Sequence, residues 1–440
     1  MKEKVNEEVL NEKQQLKLEK KKKRRKIGRR ILLGIIAVIA LFIAIISLIT
    51  ALGNKSNLKK IATIEKVKYE NQLVPEKDEK GNWTFTSDED LKVIQLTDIH
   101  IGAGWLSLKK DLMAINAVAT MLTAEKPDLV IVTGDIAYPV PFQAGTMNNK
   151  SAAKIFADLM EQLGVYWTLG YGNHDTEAYS RYTREEISDF YGSGAYKYCL
   201  FRKGPDDVDG YGNQVINIKK TNNIITQSLY ILDSHSYTGG DIFGIFWKYD
   251  NIHQNQVNWY IKNVKAYNEI NKKTAEELGL IDFDPAIRSS MFFHIPLVEM
   301  KDAITEYANN DFKDTDNVEF IYGAAGESGK VVFCGIGEDT MFETIRELGS
   351  TKAIFNGHDH LNTLSLKYKG IQLTYGMSID YLAYIGISEK GFQRGCTVIT
   401  YKPDGSYEIT PENYYQDKYV PIFEREKVTM DKPTMVVPEQ

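Results

Sequence analysis

Cysteine is nearly missing from this chain: three in 440 residues, Cys199, Cys334 and Cys396, far apart and with no C-x-x-C pair. The fold therefore needs no disulfide framework, although one optional bridge stays open, and a clustered thiolate metal site is excluded. No internal repeat is present, which removes solenoid architectures. Net positive charge is lacking over most of the chain. Residues 1–30 hold 13 Lys or Arg against 5 Asp or Glu, a net of +8, so the total of −6 leaves −14 on the remainder. An acidic main body is a poor non-specific binder of nucleic acid, and none is expected as a partner. A small phosphorylated substrate is still compatible, because bound metal ions would meet its charge. Histidine is scarce too, seven in all, which makes the placement of each one informative.

One long run carries no charge, ILLGIIAVIALFIAIISLITALG at 31–53. At about 1.5 Å per residue it spans a hydrocarbon core of roughly 30 Å as a single transmembrane helix. The basic block from Lys20 to Lys26, with Arg29 and Arg30, precedes it. The positive-inside rule then predicts residues 1–30 in the cytoplasm and everything after Gly53 on the extracytoplasmic side. A cleaved signal peptide is the competing reading, with Ala51-Leu52-Gly53 a tolerable cleavage site. The run exceeds the usual signal core of about 7 to 15 residues, which favours an uncleaved anchor.

Five of the seven histidines fall in five short stretches: Asp98-Ile99-His100, Gly134-Asp135, Gly172-Asn173-His174-Asp175, His294, and Gly357-His358-Asp359-His360. Each follows a short apolar run that reads as a strand covered on both faces. Loops leaving the carboxyl ends of such strands converge on one sheet edge, where α/β proteins place their ligands. Carboxylate oxygen and neutral imidazole nitrogen suit divalent Mn, Fe or Zn. A carboxylate following glycine, as at Asp135, has room to bridge two ions. Two ions about 3.5 to 4 Å apart favour in-line displacement at phosphorus.

The order and spacing of these stretches resemble the calcineurin-like metallophosphoesterase family, whose pattern runs D-x-H, GD, GNH(D/E), H and GHxH. All five are intact, and the resemblance covers roughly Leu91 to Ile409. It implies an α/β fold, a four-layer α/β/β/α sandwich of two mixed sheets. It also implies a first metal held by Asp98, His100 and His360, a second held by Asn173, His294 and His358, and Asp135 bridging them. A hydroxide between the metals would attack a phosphate ester, and His174 would help the leaving oxygen acquire a proton. The wider stretches "LDSHSY" at 232–237, "FFHIPL" at 292–297 and the run at 329–362 look like the branch related to purple acid phosphatases. Tyr138 sits where those enzymes carry an iron-binding tyrosinate, but they lack the histidine of the first motif and this chain keeps His100. Tyr138 is therefore expected beside the ligands or in the substrate pocket.

Asp175 and Asp359 are expected to orient neighbouring histidines, His235 to lie in a loop near the pocket mouth, and His253 at the surface. The stretch "AAGESGKV" at 324–331 resembles a phosphate-binding P-loop, yet Ala324 and Val331 break the pattern and no helix is expected after it. Along the chain, 54–90 reads as a stalk whose Gly-Asn-Trp-Thr-Phe segment at 81–85 adds an edge strand, 91–410 as the catalytic domain and 411–440 as an extended or disordered tail. Gln214–Ile218, Leu229–Leu232, Thr363–Tyr375 and Thr397–Ile409 are expected to supply the second sheet. Phosphomonoesters are the favoured substrates. A phosphodiesterase acting on lipid headgroup or envelope polymers, and a non-catalytic metal-binding scaffold, are the alternatives; the oligomeric state is not legible.

Overall fold

The computed structural model describes residues 2–239, 241, 244–327, 331–384, 387 and 394–428. It separates into two compact units, Met1–Gly53 and Asn54–Gln440. The first is helical, lying within α1 (Lys2–Ile61). Most of the large apolar side chains from Ile31 to Leu52 are exposed. Among the described residues this is the one helix long and apolar enough to cross a membrane.

The second unit is built on two mixed sheets. In the smaller, β3 (Leu91–Leu96), β4 (Leu129–Thr133) and β5 (Trp167–Gly170) run parallel, and antiparallel β13 (Gly395–Tyr401) and β14 (Tyr407–Asn413) extend it beyond β3. The larger sheet runs β1 (Glu76–Lys77), β2 (Trp83–Thr86), β6 (Gln214–Lys219), β7 (Ile225–Ile231), β8 (Arg288–Phe292), β10 (Thr351–Asn356), β12 (Ile371–Tyr375), β11 (Ser365–Tyr368), β9 (Val318–Tyr322). Its centre, β7, β8, β10 and β12, is parallel.

Side-chain alternation assigns the layers. Phe292 of β8 joins the core between the sheets, where its ring stacks on Phe355 of β10 at 4.8 Å. Its neighbours Met291 and Phe293 face the opposite core, beneath α6 (Gln254–Glu277), α7 (Val298–Asn309) and α8 (Met341–Leu348). The other face of the small sheet is covered by α2 (Leu108–Glu125) and α4 (Asn149–Leu163). The result is the α/β/β/α sandwich. Helix ends follow local chemistry: α2 stops at Lys126, φ 52°, ahead of Pro127, and α4 starts on Asn148, whose side chain accepts from Ser151 N. The short α3 (Pro141–Ala144) and α5 (Arg184–Tyr191) lie in the connections after β4 and β5.

Residues 54–90 lead into this unit and pack on it: Ile61, Ile64 and Val67 are buried in the core, and β2, in the segment expected to add a strand, pairs in parallel with β6 near the end of the larger sheet. The pair β13 and β14 joins the first sheet beside β3, while β11 and β12 do join the second. Beyond Pro411, Tyr414, Tyr415 and Tyr419 are buried, and Phe423 N donates to the Asn116 side chain. Tyr414 and Tyr419, with no regular period between them, fasten that segment to α2 through Asn116 and Glu125. Residues 429–440 of the expected tail, and 328–330 of the P-loop-like stretch, lie outside the described residues.

Candidate metal centre

Strands β3, β4 and β5 of one sheet and β8 and β10 of the other deliver the five motifs from their carboxyl ends to a single edge. Close backbone approach makes this possible. Gly134 adopts φ +87°, and a Cβ there would fall 2.7 Å from His294 Nδ1. A Cβ on Gly172 would fall on the Asp135 carboxylate. Four of the delivered side chains ride on left-handed backbone that non-glycine residues rarely adopt: Asp98 (φ 49°), His100 (53°), Asp135 (56°) and His358 (80°). Such residues cost about 1 to 3 kcal/mol each and persist where the surroundings fix them.

One oxygen is shared. Asp135 Oδ2 lies 3.3 Å from His100 Nε2 and 3.1 Å from His294 Nε2. On the first side, His360 Nε2 is 3.4 Å from Asp98 Oδ1, and Asp98, His100, Asp135 and His360 bring one donor atom each within 4.8 Å of one another. On the second, His294 Nε2 is 3.2 Å from both Asn173 Oδ1 and His358 Nδ1. All of the sequence-predicted ligands thus lie in one cluster, and all are buried or nearly so.

The histidines are oriented from behind. Nδ1 of His294 donates to the Thr133 carbonyl at 2.8 Å, which fixes the ring with Nε2 on the cluster side, facing the Nδ1 of His358. Imidazole nitrogen, amide oxygen and carboxylate oxygen therefore converge, which is the set of ligand atoms a divalent cation would take, and the lack of thiolate among them suits Mn, Fe or Zn. Asn173 is turned the right way by Tyr237, whose hydroxyl accepts from Nδ2 at 2.9 Å and leaves Oδ1 on the cluster side. Thr97 Oγ1 and His358 N donate to Asp98.

Sequence reasoning missed Asp380. It is fully buried and sets Oδ1 3.0 Å from His100 Nδ1 and Oδ2 3.4 Å from His360 Nδ1. Backbone N–H groups of Leu382, Ala383 and Tyr384 also donate to this carboxylate. It lies in Ser378-Ile379-Asp380, just past β12, so its one signal was another strand-end aspartate. Glu177 was missed as well; its Oε1 lies 2.7 Å from His174 Nδ1.

Charge balance follows these contacts. Burial pushes the Asp98 and Asp135 carboxyls up, but neighbouring imidazoles outweigh it and hold both below the usual carboxylate range. Burial lowers His100 and His294, yet Asp380 for the first and Asp135 for the second bring each up to about 9. His358, hemmed in by burial and by His294, is held well below its ordinary value.

Asp175 is not at the cluster's donor face: it accepts from the N–H groups of Asp135, Ala137 and Gly172, closing the turn beneath. Asp359 accepts from Phe333 N and the Tyr375 hydroxyl. Tyr138 donates to Gln143 Oε1 at 2.6 Å, and its ring lies 4.7 Å from the rings of both His100 and His174. His235 and His253 stack on each other at 4.0 Å, half-buried.

Residues 91–362 match the family model described as calcineurin-like phosphoesterase. A relative named probable inactive purple acid phosphatase 29, from Arabidopsis thaliana, is 26% identical over 74% of this chain and 80% of its own length. Phosphatase DCR2 of Saccharomyces cerevisiae is 31% identical over 49% of this chain and 36% of its own length. Among solved structures, a dimetal phosphatase from Danio rerio covers 75% of this chain and 98% of its own at 10% identity, with a TM-score of 0.45.

Proposed function

The chain belongs to the calcineurin-like phosphoesterase family, and from that premise we propose that it is a membrane-anchored phosphatase that hydrolyses phosphate monoesters on the extracytoplasmic side. The observation that carries the reading is the shared Asp135 oxygen, set between His100 and His294. Asp98, His100 and His360 would hold one metal ion, Asn173, His294 and His358 a second, with Asp135 common to both. When bound, such a pair lowers the pKa of water and stabilises charge on phosphoryl oxygens.

The chain's own residues do the rest. Glu177 fixes His174 through Nδ1, so Nε2 is the atom left to hold a proton for the departing oxygen. His174 N donates to Asp135 Oδ1 at 2.8 Å, which ties the acid to the shared carboxylate. As the bond from phosphorus to the leaving oxygen breaks, that oxygen takes the His174 proton, the oxygen of water completes the phosphate, and a proton given up by that water restores the one on His174. Tyr138 and Tyr249 wall the site; the Tyr249 ring lies 4.3 Å from that of His358 and excludes bulk water there.

The span at 31–53, with the basic segment 1–30 before it, supports an anchor with its amino terminus in the cytoplasm. The word inactive in the plant relative's name favours a second reading, a metal-binding protein without turnover. Hydrolysis of matched aryl monoester and diester phosphates by the full chain, chelated and then resupplied with Mn, Zn or Fe, tests both. Metal-restored monoester turnover supports the phosphatase. Diester preference moves the function to a phosphodiesterase, and silence with two ions bound favours the binding protein.

A further inference from the structure

The edge that carries the site also carries the tether. Asn54, the first residue of the 54–440 unit, donates through Nδ2 to the Ala103 carbonyl at 2.8 Å, three residues past His100. Asn57 donates to Leu108 O at 3.0 Å, at the start of α2. The chain therefore joins this unit on the loop that follows β3, immediately after the apolar run that ends at Gly53.

Beside that point the surface is apolar where water should favour polar side chains. Phe142 is 93% exposed, and Leu106 and Met147 are exposed with it. They lie on joined segments: Leu106 N donates to Ala144 O, at the end of the helix that carries Phe142 and three residues before Met147. The segment that carries Phe142 also reaches the ligand cluster, because the neighbouring Gln143 accepts from the hydroxyl of Tyr138, whose ring lies 4.7 Å from that of His174. Ile245, Phe246 and Trp247 are exposed on the other rim, two to four residues before the Tyr249 that packs on His358. Exposed Lys55, Lys59 and Lys109 flank the tether and supply positive charge at that level. Apolar tips with lysines beside them are the composition of a surface that sits at a bilayer interface.

Resting on the phosphatase reading above, we infer that the substrate is a lipid phosphate monoester, taken from the membrane surface by an edge whose apolar rim enters the interface. A second protein copy would also cover an apolar rim, but the tether at the same edge and the lysines beside it favour an anionic lipid.

The test uses the full chain, loaded with metal and reconstituted in phosphatidylcholine vesicles. Three substrates are compared: a long-chain diacylglycerol phosphate in the vesicles, its water-soluble dihexanoyl counterpart, and an aryl phosphate. The expected result is turnover of the long-chain substrate about 10-fold faster than the short-chain one. The double variant Phe142→Ser, Met147→Ser should lose about 10-fold on the vesicle substrate and keep its aryl phosphate rate within about twofold, since both side chains are exposed. Equal rates on long and short chains, or a parallel fall on the vesicle and aryl substrates, overturns the inference. So does a variant that loses a dimer in detergent while keeping full vesicle activity. Aryl phosphate hydrolysis without any lipid phosphate hydrolysis sinks the lipid substrate and spares the phosphatase; failure on all three sinks both.

Discussion

Replacing Asp380 should loosen one metal ion and leave the other in place. Asp380 reaches Nδ1 of His100 at 3.0 Å and of His360 at 3.4 Å, both in the group around Asp98. On the other side, His294 is oriented by the Thr133 carbonyl at 2.8 Å and Asn173 by Tyr237 at 2.9 Å. Loss of a group that orients a metal-binding histidine typically weakens metal affinity about 10- to 100-fold, or roughly 1.4 to 2.8 kcal/mol. Because one carboxylate serves two imidazoles, Asp380→Ala is expected near the upper end. Asp380→Asn should fall lower, since an amide offers one acceptor oxygen to one imidazole N–H and turns its own N–H toward the other. Competition titration against a chromophoric chelator, with metal content measured after dialysis, reads the effect directly. The expected outcome is one ion per chain retained at a free-metal level where the unaltered protein keeps two. Two affinities within about twofold of the unaltered protein, or both weakened equally, would refute this assignment of Asp380.

Other substitutions probe separate parts of the account. His174→Ala should lower kcat by about 10² to 10⁴ while metal content is unchanged, because His174 lies beside the ligand cluster and not in it. Gly172→Ala should abolish metal retention and lower Tm, since its methyl group would occupy the place of the Asp135 carboxylate; an alanine variant with two ions and an unchanged Tm would contradict that packing. Arg184→Met should cost about 3 to 5 kcal/mol in a denaturant titration at pH 7, because it strands the buried Asp233 carboxylate. Burial pushes the Asp233 carboxyl up, but Arg184 outweighs it and holds it below the ordinary value of 3.8. The pair's contribution is then present above that value and lost as the pH falls through the folded-state one. The gap between the two proteins should narrow below pH 3.8; a gap independent of pH would count against the pairing.

The four-layer fold and the convergence of five motifs were legible because local signals agree with the global structure. The run Leu129–Thr133 is buried along its whole length, and Gly134 and Asp135, both at positive φ, turn the chain where it ends. Alternation in Thr397–Ile409 announced strands but could not say which sheet they join, since a period of two reports a covered face and not the identity of its neighbour. Asp380, Glu177 and Tyr237 carry no pattern of their own. Their roles arise only when 279 residues of intervening chain bring His100 and Asp380 within hydrogen-bond reach of one another, and when the turn after His174 folds Glu177 back on it. The segment after Pro411 shows no pattern for a related reason: Tyr414, Tyr415 and Tyr419 are buried by tertiary contacts that no periodicity displays.

The most direct test of the central claim is metal content and aryl phosphomonoester turnover measured together on the full chain, after chelation and after metal is restored. The account predicts two ions per chain and turnover that returns with the second ion. Two ions bound with no turnover, or turnover that survives their removal, would contradict it.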